Sequence, residues 1–263
     1  MIQARNLALK PGRGFKLGSQ SLLLNAHKLL SFPTGQRWKF WLFAPLALIP
    51  LVLLLEHHVD LHVSAMFYDA ARGGFYWKSH WLTQDVIHRF GLYPGALIAL
   101  GLFALLIRPK WRLRSGINAS QASFALLAIL TSSAIVNLIK RASLTACSWD
   151  LQHFGGSYPE SAWFANLPAG LAAGHCWPAA FSLGGFSLIG LYFLMHELNK
   201  PTAATRVLIG VLCYGSLLGT SQVARGAHAL SHQFWTALIC WYVSLIVYFG
   251  YRCWLRTSTL HAS

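Results

Sequence analysis

Six stretches of this chain are apolar enough to cross a bilayer: about 39–57, 90–108, 121–139, 178–197, 206–224 and 234–252. A hydrocarbon core takes roughly 20 helical residues to span. Inside it every backbone N–H and C=O must be paired within the protein, which leaves helices and closed barrels. Apolar runs of this length predict helices, so the expected fold class is all-α, a polytopic membrane protein with six transmembrane helices. Composition agrees, with 55% hydrophobic and 11% charged residues. A formal charge of +14 points to nucleic acid in a soluble protein. Here most basic residues flank the apolar runs, so the charge reports orientation and no nucleic-acid partner is predicted.

Six spans put both termini on one side. The termini and the second–third and fourth–fifth connections carry fifteen Lys and Arg, and the opposite side only six: Arg72, Lys78, Arg89, Lys140, Arg141 and Arg225. By the positive-inside rule both termini are expected in the cytosol. Residues 1–38 then read as a basic cytosolic tail, with no apolar core and cleavage site of a signal peptide. Residues 39–252 form the membrane domain and 253–263 a second cytosolic tail. Six of the seven acids, Glu56, Asp60, Asp69, Asp85, Asp150 and Glu160, fall outside. The first long outer connection, "HHVDLHVSAMFYDAARGGFYWKSHWLTQDVIHRFG", is rich in aromatic residues and histidine, as an interfacial belt would be.

The outer face also holds "SQVARGAHALSHQFW", where Gln222, Arg225, His228 and His232 are spaced three, three and four apart. If that segment is helical, they project from one face. A guanidinium and an imidazole together suit phosphate binding with nucleophilic or acid–base work. The plainer alternative is a snorkelling arginine with two interfacial histidines. No carboxylate accompanies the histidines in this segment, and no metal is predicted. Lys140 and Arg141 end the third apolar run on the side that the charge bias disfavours. They form either a cationic clamp for phosphate or a contact with lipid headgroups. Cys147 and Cys176 share the second outer connection. In an oxidising compartment they are disulfide candidates, with two unpaired thiols as the alternative.

These residues resemble the type-2 phosphatidic acid phosphatase family, six-helix membrane phosphatases with the motifs K-x6-R-P, P-S-G-H and S-R-x5-H-x3-D. "KRASLTACS" places Lys140 at the first motif's lysine, with Cys147 and Ser148 where Arg-Pro would stand. "CWPAAFSLGGF" sets Pro178, Ala179, Ala180 and Phe181 against P-S-G-H. "SQVARGAHALSH" sets Ser221, Gln222, His228 and His232 against the last motif's Ser, Arg, His and Asp. A bacterial branch with motifs like "CPWDL…YGG", "CFPAGHAS" and "RGAHFLSHDLW" is more similar still to "CSWDLQHFGG", "CWPAAFSL" and "RGAHALSHQFW".

The resemblance implies a multi-pass protein of the bacterial inner membrane. Its partner would be a membrane lipid phosphate or prenyl diphosphate taken from the bilayer at the periplasmic face, with no cofactor. His228 would be the nucleophile and His232 would stand where an acid orients it. Lys140, Arg141, Arg225 and Gln222 would bind the phosphate. The family's proton donor is replaced by Phe181, which cannot donate. That departure favours a diphosphate, phosphoryl transfer between lipids, or a catalytically silent relative that binds phosphorylated lipid or a membrane partner. His175, three residues before Pro178, is a candidate substitute acid, and Asp150 or Glu160 a substitute carboxylate.

Overall fold

The structure, a computed structural model, describes residues 37–159 and 169–260 of the 263-residue chain. Nearly all of the 1–38 segment, Glu160 and the last three residues lie outside the described residues. The chain is largely helical. Five helical stretches are long and apolar enough to cross a membrane: Trp38–Glu56, Tyr76–Ile107, Ala119–Ala142, Pro201–Ala224 and Leu230–Ser258. Large apolar side chains such as Leu97, Leu100, Leu138 and Ile246 stand exposed along them, as expected of surfaces that lie in lipid.

The first stretch holds α1 (Arg37–Phe43) and α2 (Leu48–His58), followed by the short α3 (Asp60–Ala65). The connection after α3 then folds into a short hairpin, β1 (Tyr68–Asp69) against β2 (Gly74–Phe75). A π-helix follows at Leu82–His88, and then α4 (Tyr93–Ile107). Arg112, on α5 (Pro109–Ser115), donates from Nη1 to the carbonyls of Leu105 and Leu106 at 3.0 and 2.9 Å, satisfying groups that the end of α4 leaves open. Gly116, at φ 69°, stops α5 in the left-handed conformation favoured after a helix. Asn118 and Gln121 then form a reciprocal capping box that starts α6 (Ala119–Ala142).

The fourth apolar run corrects the expectation of six regular helices. From Ala180 to Glu197 it alternates between 3₁₀ and α turns, including α7 (Leu183–Phe186) and α8 (Gly190–Glu197). It forms no single long helix, and it is buried along most of its length. Small residues explain how the neighbours come so close. A Cβ on Gly185 would lie 2.2 Å from the backbone nitrogen of Gly215 on α9 (Pro201–Ala224), and one on Gly190 would lie 2.8 Å from Ala128 of α6. Close backbone approach of this kind is how helices pack where no hydrophobic drive separates protein from lipid.

The last helix, α10 (Leu230–Leu260), packs against α6. Arg252 of α10 forms a two-pronged ion pair with Glu197 at 2.9 and 3.0 Å, and Tyr248 donates to the same carboxylate. That network sits roughly 33 Å along the helix axis from Leu230, at 1.5 Å per residue. It anchors the end of α10 remote from the residues described next.

Candidate functional site

Helices α9 and α10 do not run into one another. Gly226 adopts φ 74°, and a Cβ there would lie 2.5 Å from the ring of Phe75. The left-handed backbone ends α9 at Ala224, and α10 begins only at Leu230. Gln222, Arg225, His228 and His232 therefore do not share one helical face. Gln222 lies in the last turn of α9, Arg225 and His228 in the connecting turn, and His232 in the first turn of α10. All four are buried, and they form two pairs, Arg225 with Gln222 and His228 with His232.

His228 is held from the connection that follows α6. Its Nδ1–H donates to the backbone carbonyl of Cys176 at 2.7 Å. A carbonyl only accepts, so the proton sits on Nδ1 and the lone pair on Nε2. Cys176 forms a disulfide with Cys147, Cα to Cα 5.1 Å. Its N–H donates to the Thr145 carbonyl at 3.0 Å, which ties the loop to the strand of chain leaving Lys140. Burial pushes the His228 pKa well below its ordinary value, the charges of His232 and Lys140 push the same way, and the Cys176 carbonyl opposes them. The ring is neutral at physiological pH. The His232 ring lies 5.8 Å away, centroid to centroid, at 71°. Its Nδ1 is buried with no hydrogen-bond partner among the described residues. Half-buried Lys140, in the last turn of α6, is near enough for its charge to be felt at both rings.

A buried carboxylate fixes the start of α10. Asp60 Oδ1 accepts from the Ser231 backbone N–H at 2.8 Å, and Oδ2 accepts from the Ser231 hydroxyl. The acid thus satisfies open donors at a helix N-terminus from another part of the chain. Since Ser231 lies between the two histidines, Asp60 sets where both begin. Sequence reasoning counted Asp60 only among the outer acids. Its place directly after the first apolar run was the available signal.

Arg225 is cradled on three sides. Its Nε donates to the Lys78 carbonyl at 3.3 Å, Nη1 to Gln222 Oε1 at 3.3 Å, and Nη2 to Gln84 Oε1. Gln222 in turn donates to Ser221 Oγ at 3.1 Å. Gln222 therefore supports the guanidinium. Gln84 and Lys78 were not singled out from sequence, because the aromatic stretch containing them reads as an interfacial belt. The Lys78 ammonium lies over the Trp149 ring at 4.4 Å, and the Trp149 backbone N–H donates to the Gly226 carbonyl at 2.8 Å.

The segment carrying Phe181 is pinned to α10. The Ala179 N–H donates to the His232 carbonyl at 3.3 Å, and Thr236 Oγ donates to the Ala179 carbonyl at 3.2 Å. Phe181 stacks on His88, centroids 5.0 Å apart and planes 13° from parallel. It also borders a mostly apolar cavity of about 430 Å³ between α4 and α6, lined by Gly95, Ala99, Ile129 and Asn137 among others. Asn137 lies one turn before Lys140. Of the remaining expected residues, His175 is exposed with a left-handed φ of 53°, and Arg141 is exposed at the end of α6. Asp150 accepts from the Trp149 indole at 3.0 Å. Glu160 lies outside the described residues.

No protein-family model, curated protein or solved structure matches the chain, and its function is read from its own residues.

The disulfide gives an expected result. It closes a loop of sequence separation 29, and Cys147→Ser should lower stability by about 3 kcal/mol. Thermal unfolding in detergent with and without reductant checks this. The wild type should fall to the variant's midpoint when reduced.

Proposed function

We propose that the chain is a membrane phosphatase or phosphotransferase acting on the phosphate or diphosphate headgroup of a lipid, with His228 as nucleophile. The observation that carries this reading is the bond from His228 Nδ1 to the Cys176 carbonyl. It leaves Nε2 as an available lone pair in a buried site that feels the charge of Lys140, with Arg225 three residues before His228 in the same turn. A neutral imidazole there can attack phosphorus, while the cations stabilise charge on the phosphoryl oxygens. The Cys176 carbonyl orients the ring, a task for which His232 lacks a carboxylate's charge. The unpartnered Nδ1 of His232 is a further group for a phosphate oxygen to meet. In this reading the lipid chain lies in the cavity between α4 and α6.

Counting the broken Ala180–Glu197 segment as a crossing, the chain passes the bilayer six times. Both termini are then cytosolic and the site faces the periplasm, in the inner membrane of a bacterium. The reading agrees with the resemblance to the type-2 phosphatidic acid phosphatases. The second reading is a catalytically silent relative that binds phosphorylated lipid. The observation favouring it is Phe181, an aromatic ring where that family has its proton donor. Phosphate release from purified protein, supplied with a lipid phosphomonoester and with a prenyl diphosphate, separates the two. Release supports the enzyme. Headgroup binding without release of phosphate supports the silent binder.

The pH dependence has a definite sign. His228 must be neutral to attack, and its pKa lies well below 6.5. The acid limb of kcat/KM, which reports the free enzyme, should therefore fall below pH 6.5 once the substrate's own ionisation near pH 6 is divided out. An acid limb at or above 6.5 contradicts a neutral, buried nucleophile.

A further inference from the structure

Resting on the phosphoryl-transfer reading above, we propose that His88 delivers the proton to the leaving oxygen, the role that Phe181 cannot fill. Two links connect His88 to the site. Its ring lies flat on Phe181, 5.0 Å between centroids. Phe181 sits two residues from Ala179, which is bonded to the His232 carbonyl. The second link is Arg225, whose guanidinium is held by Gln84, four residues before His88 on the same short helix. The same short π-helix, Leu82–His88, thus steadies the phosphate-binding arginine and carries an imidazole. Insertions of this kind are common where a helix re-aims a side chain for function.

Stacking leaves the edge of the His88 ring, with both nitrogens, uncovered by Phe181. The side chain is exposed and so can exchange protons with water. Leu92, one turn further on, lines the cavity that Phe181 borders, so the segment that carries His88 reaches that cavity.

The proton balance closes. In the first step His228 Nε2 forms a bond to phosphorus as the bond to the leaving oxygen breaks. That oxygen keeps the electron pair and takes a proton from the His88 imidazolium. In the second step water attacks phosphorus and gives a proton to neutral His88. The P–N bond breaks, its electron pair returns to Nε2, and both histidines regain their starting states. His175, the acid considered from sequence, lies in the exposed loop with no aromatic contact to the Phe181 segment among the described residues.

The test is leaving-group dependence. A lipid alkoxide needs a proton to depart, whereas a phosphate leaving from a prenyl diphosphate, with a second pKa near 6, needs little help. His88→Ala should lower kcat on a lipid phosphomonoester by about 10²–10⁴-fold, and on the diphosphate by less than about tenfold. Retained diphosphate turnover also shows that the variant is folded. Adding Phe181→His to His88→Ala should restore part of the monoester rate, because a donor then stands on the other ring of the stacked pair. Equal losses on both substrates, no loss on the monoester, or wild-type turnover of the diphosphate alone would each overturn the assignment while leaving His228 as nucleophile. No release from either substrate by the wild type would overturn both.

Discussion

Alanine in place of His228 should lower phosphate release by at least about 10⁴-fold, the scale on which a covalent nucleophile is missed. Headgroup binding should persist. In the proposed mechanism the ring acts in the transition state, while the ground-state attraction comes from Lys140 and Arg225, which the substitution leaves in place. Arg225 keeps its contacts to Lys78, Gln222 and Gln84, and α10 keeps its Asp60 cap. The pattern to look for in steady-state kinetics is thus a collapse of kcat with little change in lipid-phosphate affinity. Unchanged turnover in the variant would remove His228 from the chemistry.

The second large effect belongs to stability. Asp60→Ala strands a buried backbone N–H and a buried hydroxyl of Ser231, and should cost about 3 kcal/mol. Asp60→Asn keeps an acceptor for the N–H and should cost less. Burial raises the Asp60 pKa above its ordinary value, against the lowering effect of its Ser231 bonds. A carboxyl whose pKa is raised on folding contributes stability that is complete below the ordinary carboxylate range. That contribution is lost as pH rises through the raised value. Thermal midpoints measured across pH should therefore fall on the alkaline side in the wild type, and this dependence should flatten in Asp60→Asn. A midpoint for Asp60→Ala equal to the wild type would show that the cap is dispensable.

The helical character of the chain was legible because lipid-soluble stretches must pair their own backbone groups, and length and apolarity alone locate them. Regularity was not. The run at 178–197 is as apolar as its neighbours, yet it breaks into short 3₁₀ and α turns. Its glycines serve close contacts with Gly215 and Ala128, which sequence does not display. The same holds for Arg225, His228 and His232. Their spacing fits one helical face, but Gly226 is placed against Phe75 from a distant hairpin, and this contact makes the turn. Each is instead held by a bond of long sequence separation: Asp60 to Ser231, Cys176 to His228, Gln84 to Arg225. Local patterns find groups of suitable chemistry. They do not find the carbonyl, carboxylate or amide that another segment brings to them.

The central claim is that His228 carries the phosphoryl group. Purified protein mixed with a lipid phosphate labelled in its phosphorus, then quenched in base where phosphohistidine survives, measures it directly. The expected result is an acid-labile label on the peptide containing His228, absent from His228→Ala. Steady turnover with no covalent label, or with the label on another residue, would contradict the mechanism.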